Sequence, residues 1–161
     1  MNESEKAKKI ITENIYMTVA TATRDGEPWV SPVFFAHDDH YNLYWVSNKE
    51  ARHSQNIREN SKVAIVIFDS RAKEGDGDGV YFECEASELT DDSEIITAIE
   101  AYNQRATQDE FRVSNITEVV GDKLWRIYKA VPRQVTKLSD GAVVNGQYIE
   151  KRIEVSLNEK S

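Results

Sequence analysis

The sequence carries a single cysteine, Cys84. No internal disulfide can form from it, and no multi-cysteine metal site can be assembled. Basic residues are also scarce relative to acidic ones, with 20 Lys and Arg against 28 Asp and Glu and a formal net charge of -8. Such a surface repels phosphate backbones and anionic lipid. Neither nucleic acid nor membrane is therefore an expected partner, and any anionic ligand has to be met by a local basic cluster. Long apolar runs are missing too: no segment approaches the roughly 20 apolar residues of a membrane helix. The start, "MNESEKAKKIITEN", has no apolar core behind its charges. These absences together point to a soluble, cytoplasmic protein. At 161 residues the chain suits one domain with a real core. The reading is a single domain over 1–161, with its core at about 10–138 and a C-terminal hairpin or tail at 139–161.

What is present is mostly strand. "SEKAKKIITEN" fits a short amphipathic helix capped by Ser4. From Ile15 to Ala22 the apolar residues alternate with period two, which predicts a strand. "RDGE" supplies an Asp-Gly turn, and "PWVSPVFFA" resumes an extended run, so the two form a hairpin. Pro28 and Pro32 lack amide hydrogens, which places part of this second strand at an edge or a bulge. A proline that interrupts pairing leaves peptide groups at Ser31, Val33 and Phe34 free for the polar edge of a ring system.

A third strand, "YNLYWV", ends at Val46, and a short helix follows over "ARHSQNIREN", bounded by Ser47 or Asn48 before it. "KVAIVIF" is apolar throughout and reads as a strand buried on both faces. "DSRAKEGDGDG" is a loop, and "VYFECEASEL" a strand with Val80, Phe82, Cys84 and Ala86 on one face. "TDDSEIITAIEAYNQR" opens with capping residues and puts Ile95, Ile96, Ile99 and Tyr102 on one helical stripe. One or two late strands surround Pro132. The sum is a mainly β fold, a six-stranded antiparallel barrel with about three peripheral helices.

The stretch "VSNKEARHSQNI" carries the most chemistry. A strand that stops at Ser47 and turns into a helix aims unpaired amides and a positive helix end at one point. Lys49, Arg52 and His53 add charge, and the planar guanidinium of an arginine grips two oxygens of a phosphate. A solvated helix start whose basic residues pair with the abundant carboxylates accounts for the same residues. Cys84 alternates with core positions and reads as a buried, inert thiol. His37 and His40 flank a tight turn that needs no metal to explain it, and "GDGDG" lacks the full calcium-loop pattern. Trp29, Trp45, Trp125, Phe34, Phe35 and Tyr44 suit either an aromatic ligand or the barrel core.

The order "PWVSPVFF", "YNLYWVSNKEARHSQNIREN", "KVAIVIFD", "GVYFECEASEL" resembles the pyridoxamine 5′-phosphate oxidase-related, FMN-binding split-barrel family, over roughly Ile10 to Leu138. The resemblance implies a homodimer with FMN in the cleft between subunits. It implies that Ser31, Pro32, Val33 and Phe34 line the isoalloxazine through backbone contacts, with Val46 and Ser47 against the ribityl and phosphate groups. Arg52 matches the family's phosphate-binding arginine, His53 falls where the oxidase has lysine, and Lys49 is an additional phosphate contact. Trp125, or a neighbour on the late strands, reaches the flavin of the partner.

Two departures set the chain apart from the oxidase itself. Ala36 stands where its strand-two lysine is expected, and the C-terminal Arg-x-His motif has no match. The resemblance is closest to the small general-stress-type members. It implies an FMN-dependent oxidoreductase passing hydride or electrons between a reduced nicotinamide or small organic substrate and the flavin. The alternatives are a flavin-binding or sensing module without turnover, a member using deazaflavin or haem, and a plain barrel used for protein contacts. No catalytic acid or base is visible.

Overall fold

In a computed structural model that describes residues 1–158, the chain forms one antiparallel sheet of eight strands. Helix α1 (Glu3–Glu13) precedes β1 (Tyr16–Ala22), β2 (Pro28–Phe34), β3 (Ala36–His37) and β4 (Leu43–Asn48). Helix α2 (Arg52–Glu59) leads to β5 (Lys62–Phe68) and β6 (Gly79–Glu88). Helix α3 (Asp92–Arg105) and two short 3-10 turns at 109–111 and 116–118 lead to β7 (Trp125–Val144) and β8 (Gln147–Glu154).

The strand order is β2-β1-β5-β6-β7-β4-β3, with β8 beside the second half of β7. β2 and β3 are separated only by Phe35, yet they lie at opposite ends of that order: Phe34 pairs with Tyr16 and Ala36 with Tyr44. One extended segment thus changes partner at Phe35 and curls the sheet into a split barrel. The strand count is eight rather than six, because this segment breaks in two and 139–154 adds a full hairpin instead of a loose tail. The expected composition otherwise holds, mainly β with three α-helices.

Each proline sits where its missing donor does least harm. Pro28 and Pro32 lie on β2, an edge strand whose only ladder partner among the described residues is β1. Pro132, in a central strand, pairs with Cys84 beside a register shift at Glu83/Cys84, so a bulge absorbs it. The β1–β2 turn closes through Gly26, whose φ of +88° is cheap for glycine alone. In that turn the Gly26 amide donates to the Thr23 carbonyl at 3.0 Å.

Two apolar clusters result. The barrel interior holds Ile11, Met17, Val19, Phe35, Trp45, Ile67 and Phe82 among others. A second layer packs Ile95, Ala98, Ile99 and Tyr102 of α3 against Ala36, Tyr44 and Ile127. Arg105, at the end of α3, donates to the free carbonyls of Ile11, Thr12 and Asn14 at the end of α1. α1 has no basic residue in its own last turn, so α3 provides the charge its C-terminus favours.

Local expectations are corrected in four places. α1 is capped by Asn2, in a capping box with Glu5, so Ser4 lies inside the first turn. α2 begins after Ala51; Asn48 instead accepts from the Glu50 amide and shapes the turn before the helix. β5 buries Val63, Ile65 and Ile67 but leaves Ala64 and Phe68 exposed, since among the described residues no helix covers its outer face. Ile96 is exposed, one step off the stripe formed by Ile95, Ile99 and Tyr102.

Candidate functional site

A hollow of about 530 Å³ opens where β2, β4 and the start of α2 meet. Its walls include Pro32, Val33 and Phe34 from β2, Val46 and Ser47 from β4, and His53 from α2. Trp125 at the start of β7 completes this side, because β7 pairs with β4 in the register Asn48↔Trp125 and Ser47↔Arg126. Residues close in space are thus drawn from four separated parts of the chain. The size lies within the range of small-molecule and cofactor sites.

The polar floor is Ser47 and His53, both buried, with His53 Nε2 and Ser47 Oγ 2.9 Å apart. Burial pushes the His53 imidazole below its ordinary pKa, so the ring is neutral at pH 7. α2 is fixed against the barrel by Asn56, whose buried amide donates to Thr21 Oγ1 on β1 at 3.0 Å. Ile57 packs into the barrel core beside it.

Consecutive helical residues point about 100° apart, and Arg52 and His53 diverge accordingly. His53 turns into the hollow. Arg52 lies over the Trp29 ring at 4.4 Å and reaches Glu27 at 3.4 Å, half-exposed beside the rim. Trp29 Nε1 in turn donates to Ser31 Oγ at 3.0 Å. Lys49 is held by its backbone, its amide donating to the Leu124 carbonyl at 2.8 Å and its carbonyl accepting from Arg58. Ser31, Lys49 and Arg52 therefore border the corner without lining the hollow.

The far wall was not legible in the sequence. Tyr102 from α3, and Phe111, Arg112, Val113 and Val119 from the segment after it, close the hollow opposite β2. Phe34 meets Tyr102 edge to face at 5.1 Å, which joins the two walls. The only hint was Tyr102 on the buried stripe of α3; the irregular segment after α3 has no period to read. The six aromatic candidates divide cleanly. Phe35, Tyr44 and Trp45 are core, while Trp29 and Trp125 are substantially exposed and Phe34 sits at the boundary.

The other candidates have simple environments. Cys84 is buried with its thiol pushed up to about 12, which makes it unreactive near neutrality. His37 stacks on Tyr41 at 4.9 Å, and its Nδ1 lies 2.9 Å from the Asp38 carbonyl. Among the described residues no helix is long and apolar enough to cross a membrane.

The family model for pyridoxamine 5′-phosphate oxidase matches residues 4–131. The chain belongs to this family. A curated relative, the pyridoxine/pyridoxamine 5′-phosphate oxidase of Trichormus variabilis, is 23% identical over 137 residues, covering 74% of this chain and 64% of the relative. A haem-binding protein from Mycobacterium smegmatis superposes with a TM-score of 0.69 at 17% identity, covering 94% of this chain and 58% of that one. An FAD-binding protein from Mesorhizobium loti gives 0.61 at 18% identity, covering 85% and 94%. The chain thus spans about three fifths of the first two relatives' lengths. At these identities the structural likenesses establish the split-barrel fold shared across the family. Solved proteins of this fold include a haem-binding and an FAD-binding one. Ala36, the position matched to the oxidase's lysine, is buried under α3.

Proposed function

We propose that the chain binds FMN non-covalently between two copies of itself and acts as an oxidoreductase on a small organic substrate or reduced nicotinamide. The observation that carries this reading is the hollow between the proline-bearing edge strand and the Ser47–His53 corner. The donor set fits a flavin mononucleotide. β2 has one ladder partner, so alternate peptide groups along Ser31, Pro32, Val33 and Phe34 face away from β1. They offer hydrogen bonds to the polar edge of a flat ring. Val46 flanks the ribityl chain. Ser47, His53 and the first amides of α2 meet the phosphate, and Arg52 joins them by leaving Glu27. Lys49 adds charge at the rim, and Trp125 provides a flat apolar face.

When bound, FMN supplies the redox chemistry, taking up two electrons as hydride and passing them on. The chain's own residues bind, orient and exclude water. The lining also carries two carboxylates, Glu110 and Glu118, beside the imidazole of His53; Glu118 accepts from the Ser114 amide and the Asn115 side chain and His53 is engaged with Ser47, and no proton-transfer role is assigned to Glu110.

The second copy is argued from the sheet's outer surface. The register aligns Val30, Ala20 and Ala64 in one row across β2, β1 and β5, and Pro32, Thr18 and Val66 in the next. Ala20, Val30 and Ala64 are exposed, and Pro32 belongs to both this apolar face and the hollow. A partner on this face closes the site from outside. Ala20→Arg in its centre is expected to convert dimers to monomers in sedimentation and to abolish FMN retention. Tight FMN binding by a monomer overturns the arrangement.

Haem is the competing ligand, favoured by the Mycobacterium smegmatis relative. Against it, the Nε2 of His53 is engaged with Ser47 Oγ at 2.9 Å, which leaves only Nδ1 of that ring to serve as an axial ligand. The absorption spectrum of the purified protein, followed by mass analysis of released ligand, separates the two. Rapid mixing of the reduced holoprotein with acceptors then decides turnover: reoxidation no faster than free FMN leaves a binding or sensing module.

A further inference from the structure

Beyond Phe34 the hollow adjoins a smaller cavity of about 140 Å³. The two share Phe34, Tyr102 and Phe111, and the smaller one adds Ile15 and Tyr16 where β1 begins and Ala106 where α3 ends. An apolar cavity of about 150 Å³ takes one benzene molecule, so this annex has room for a single six-membered ring.

Three features of the lining say what kind of ring. The walls are aromatic: Tyr16 meets Phe34 edge to face at 6.4 Å, and Phe34 meets Tyr102 the same way at 5.1 Å. Phe111 is 61% exposed and pairs with no other ring among the described residues, so an aromatic guest extends the series. The lining also holds no charged side chain, its polar members being the two tyrosines, Thr107 and Gln108. An ion placed here loses hydration and gains no counter-charge. The third feature is the Tyr102 hydroxyl. Tyr102 is 7% exposed and borders both spaces, and its hydroxyl makes no hydrogen bond among the described residues. The oxygen is not sealed in protein, so a guest atom can reach it. Burial, with a smaller push from Tyr16, raises the phenol above its ordinary pKa, which keeps it a donor at pH 7.

We infer that the annex is the substrate subsite of the flavin hollow and takes a small uncharged aromatic ring bearing a carbonyl group. The ring lies among Tyr16, Phe34 and Phe111, and the carbonyl oxygen accepts from Tyr102 Oη where the two cavities join. The substrate role rests on the flavin reading, whereas the annex itself is built from this chain alone.

The test is titration of the isotopically labelled full chain with acetophenone, read by amide chemical shifts before and after saturation with FMN. Benzoate is the anionic analogue, and ethylbenzene lacks the acceptor. Expected are saturable shifts around residues 15–16, 34, 102 and 106–111 with acetophenone, and a perturbed flavin absorption band when it joins the FMN-loaded chain. Benzoate should bind at least tenfold more weakly. Ethylbenzene, and acetophenone with Tyr102→Phe, should each lose about fivefold, the scale of one neutral hydrogen bond. Ile15→Glu, at a half-exposed position on the rim, should abolish acetophenone binding. The inference is overturned by no saturation with acetophenone, by an equal response to ethylbenzene, by unchanged affinity in either variant, or by binding that leaves the flavin band unmoved. A chain that binds acetophenone in the annex but takes no FMN overturns the flavin reading instead, and with it the substrate role.

Discussion

Lys137 and His53 are both basic side chains buried in this barrel, and the structure treats them in opposite ways. Lys137 on β7, its side chain 3% exposed, is met by Glu3 of α1 at 3.0 Å, by Asp78 of the loop before β6, and by the Leu138 carbonyl at 2.6 Å. The Glu3 carboxyl is held below its usual range by Lys6 and Lys137. This cluster ties three chain segments together and leaves nothing to offer a ligand. His53 has one partner, Ser47, and its other ring nitrogen makes no hydrogen bond among the described residues, with an open hollow in front of it. A buried charge whose partners are complete belongs to stability. A buried polar pair left incomplete beside a cavity belongs to binding.

The contrast can be broken by exchange of effects between the two places. Lys137→Ala should cost about 3 kcal/mol of stability, the scale for removing one member of a buried ion pair. FMN affinity should stay within about twofold, because the cluster lies outside the hollow. Urea denaturation and fluorescence titration measure the two quantities, and a large change in affinity would erase the distinction. Arg52→Ala should do the reverse, weakening FMN binding by about 1.5 to 3 kcal/mol as a charged hydrogen bond is lost. Its stability should shift by no more than about 0.5 kcal/mol, since the ion pair with Glu27 is a surface one. An unchanged dissociation constant removes Arg52 from the phosphate site.

The acid side sharpens the comparison further. The folded pKa of His53 is depressed, so in the window between that value and about 6.5 the unfolded chain binds the extra proton. The contribution of the neutral ring is fully present above about pH 6.5 and is lost as pH falls through this window. Melting temperature should therefore drop between neutrality and mild acid by more in the wild type than in His53→Asn; parallel curves contradict the burial argument. The smallest effect is expected from Glu27→Gln. Releasing Arg52 from its carboxylate partner should tighten FMN by a few tenths of a kcal/mol, about the size of an exposed ion pair. Weaker binding on calorimetry would show that Glu27 positions Arg52 rather than competing for it.

Much of the barrel was legible from spacing. Period-two alternation located β1 and the inward face of β6, and the Asp-Gly turn located the first hairpin. The failures share a cause. β5 looked buried on both faces because composition cannot say whether a helix or a partner covers the outer side. The far wall of the hollow, from Tyr102 to Val119, leaves no mark in the sequence because irregular backbone carries no periodicity. The sequence puts Ser47 and His53 at one corner, but adjacency in sequence does not tell that Arg52 turns away from it.

By itself the sequence determined the elements and the chemical inventory of the β4–α2 corner, since alternation, capping residues and turn glycines act over a few residues. Only the tertiary structure decided which of those groups face one another. The change of partner at Phe35, the return of β7 beside β4 and the packing of α3 bring together residues dozens of positions apart. Burial is a property of that closed surface, so the hollow does not exist until the sheet has curled.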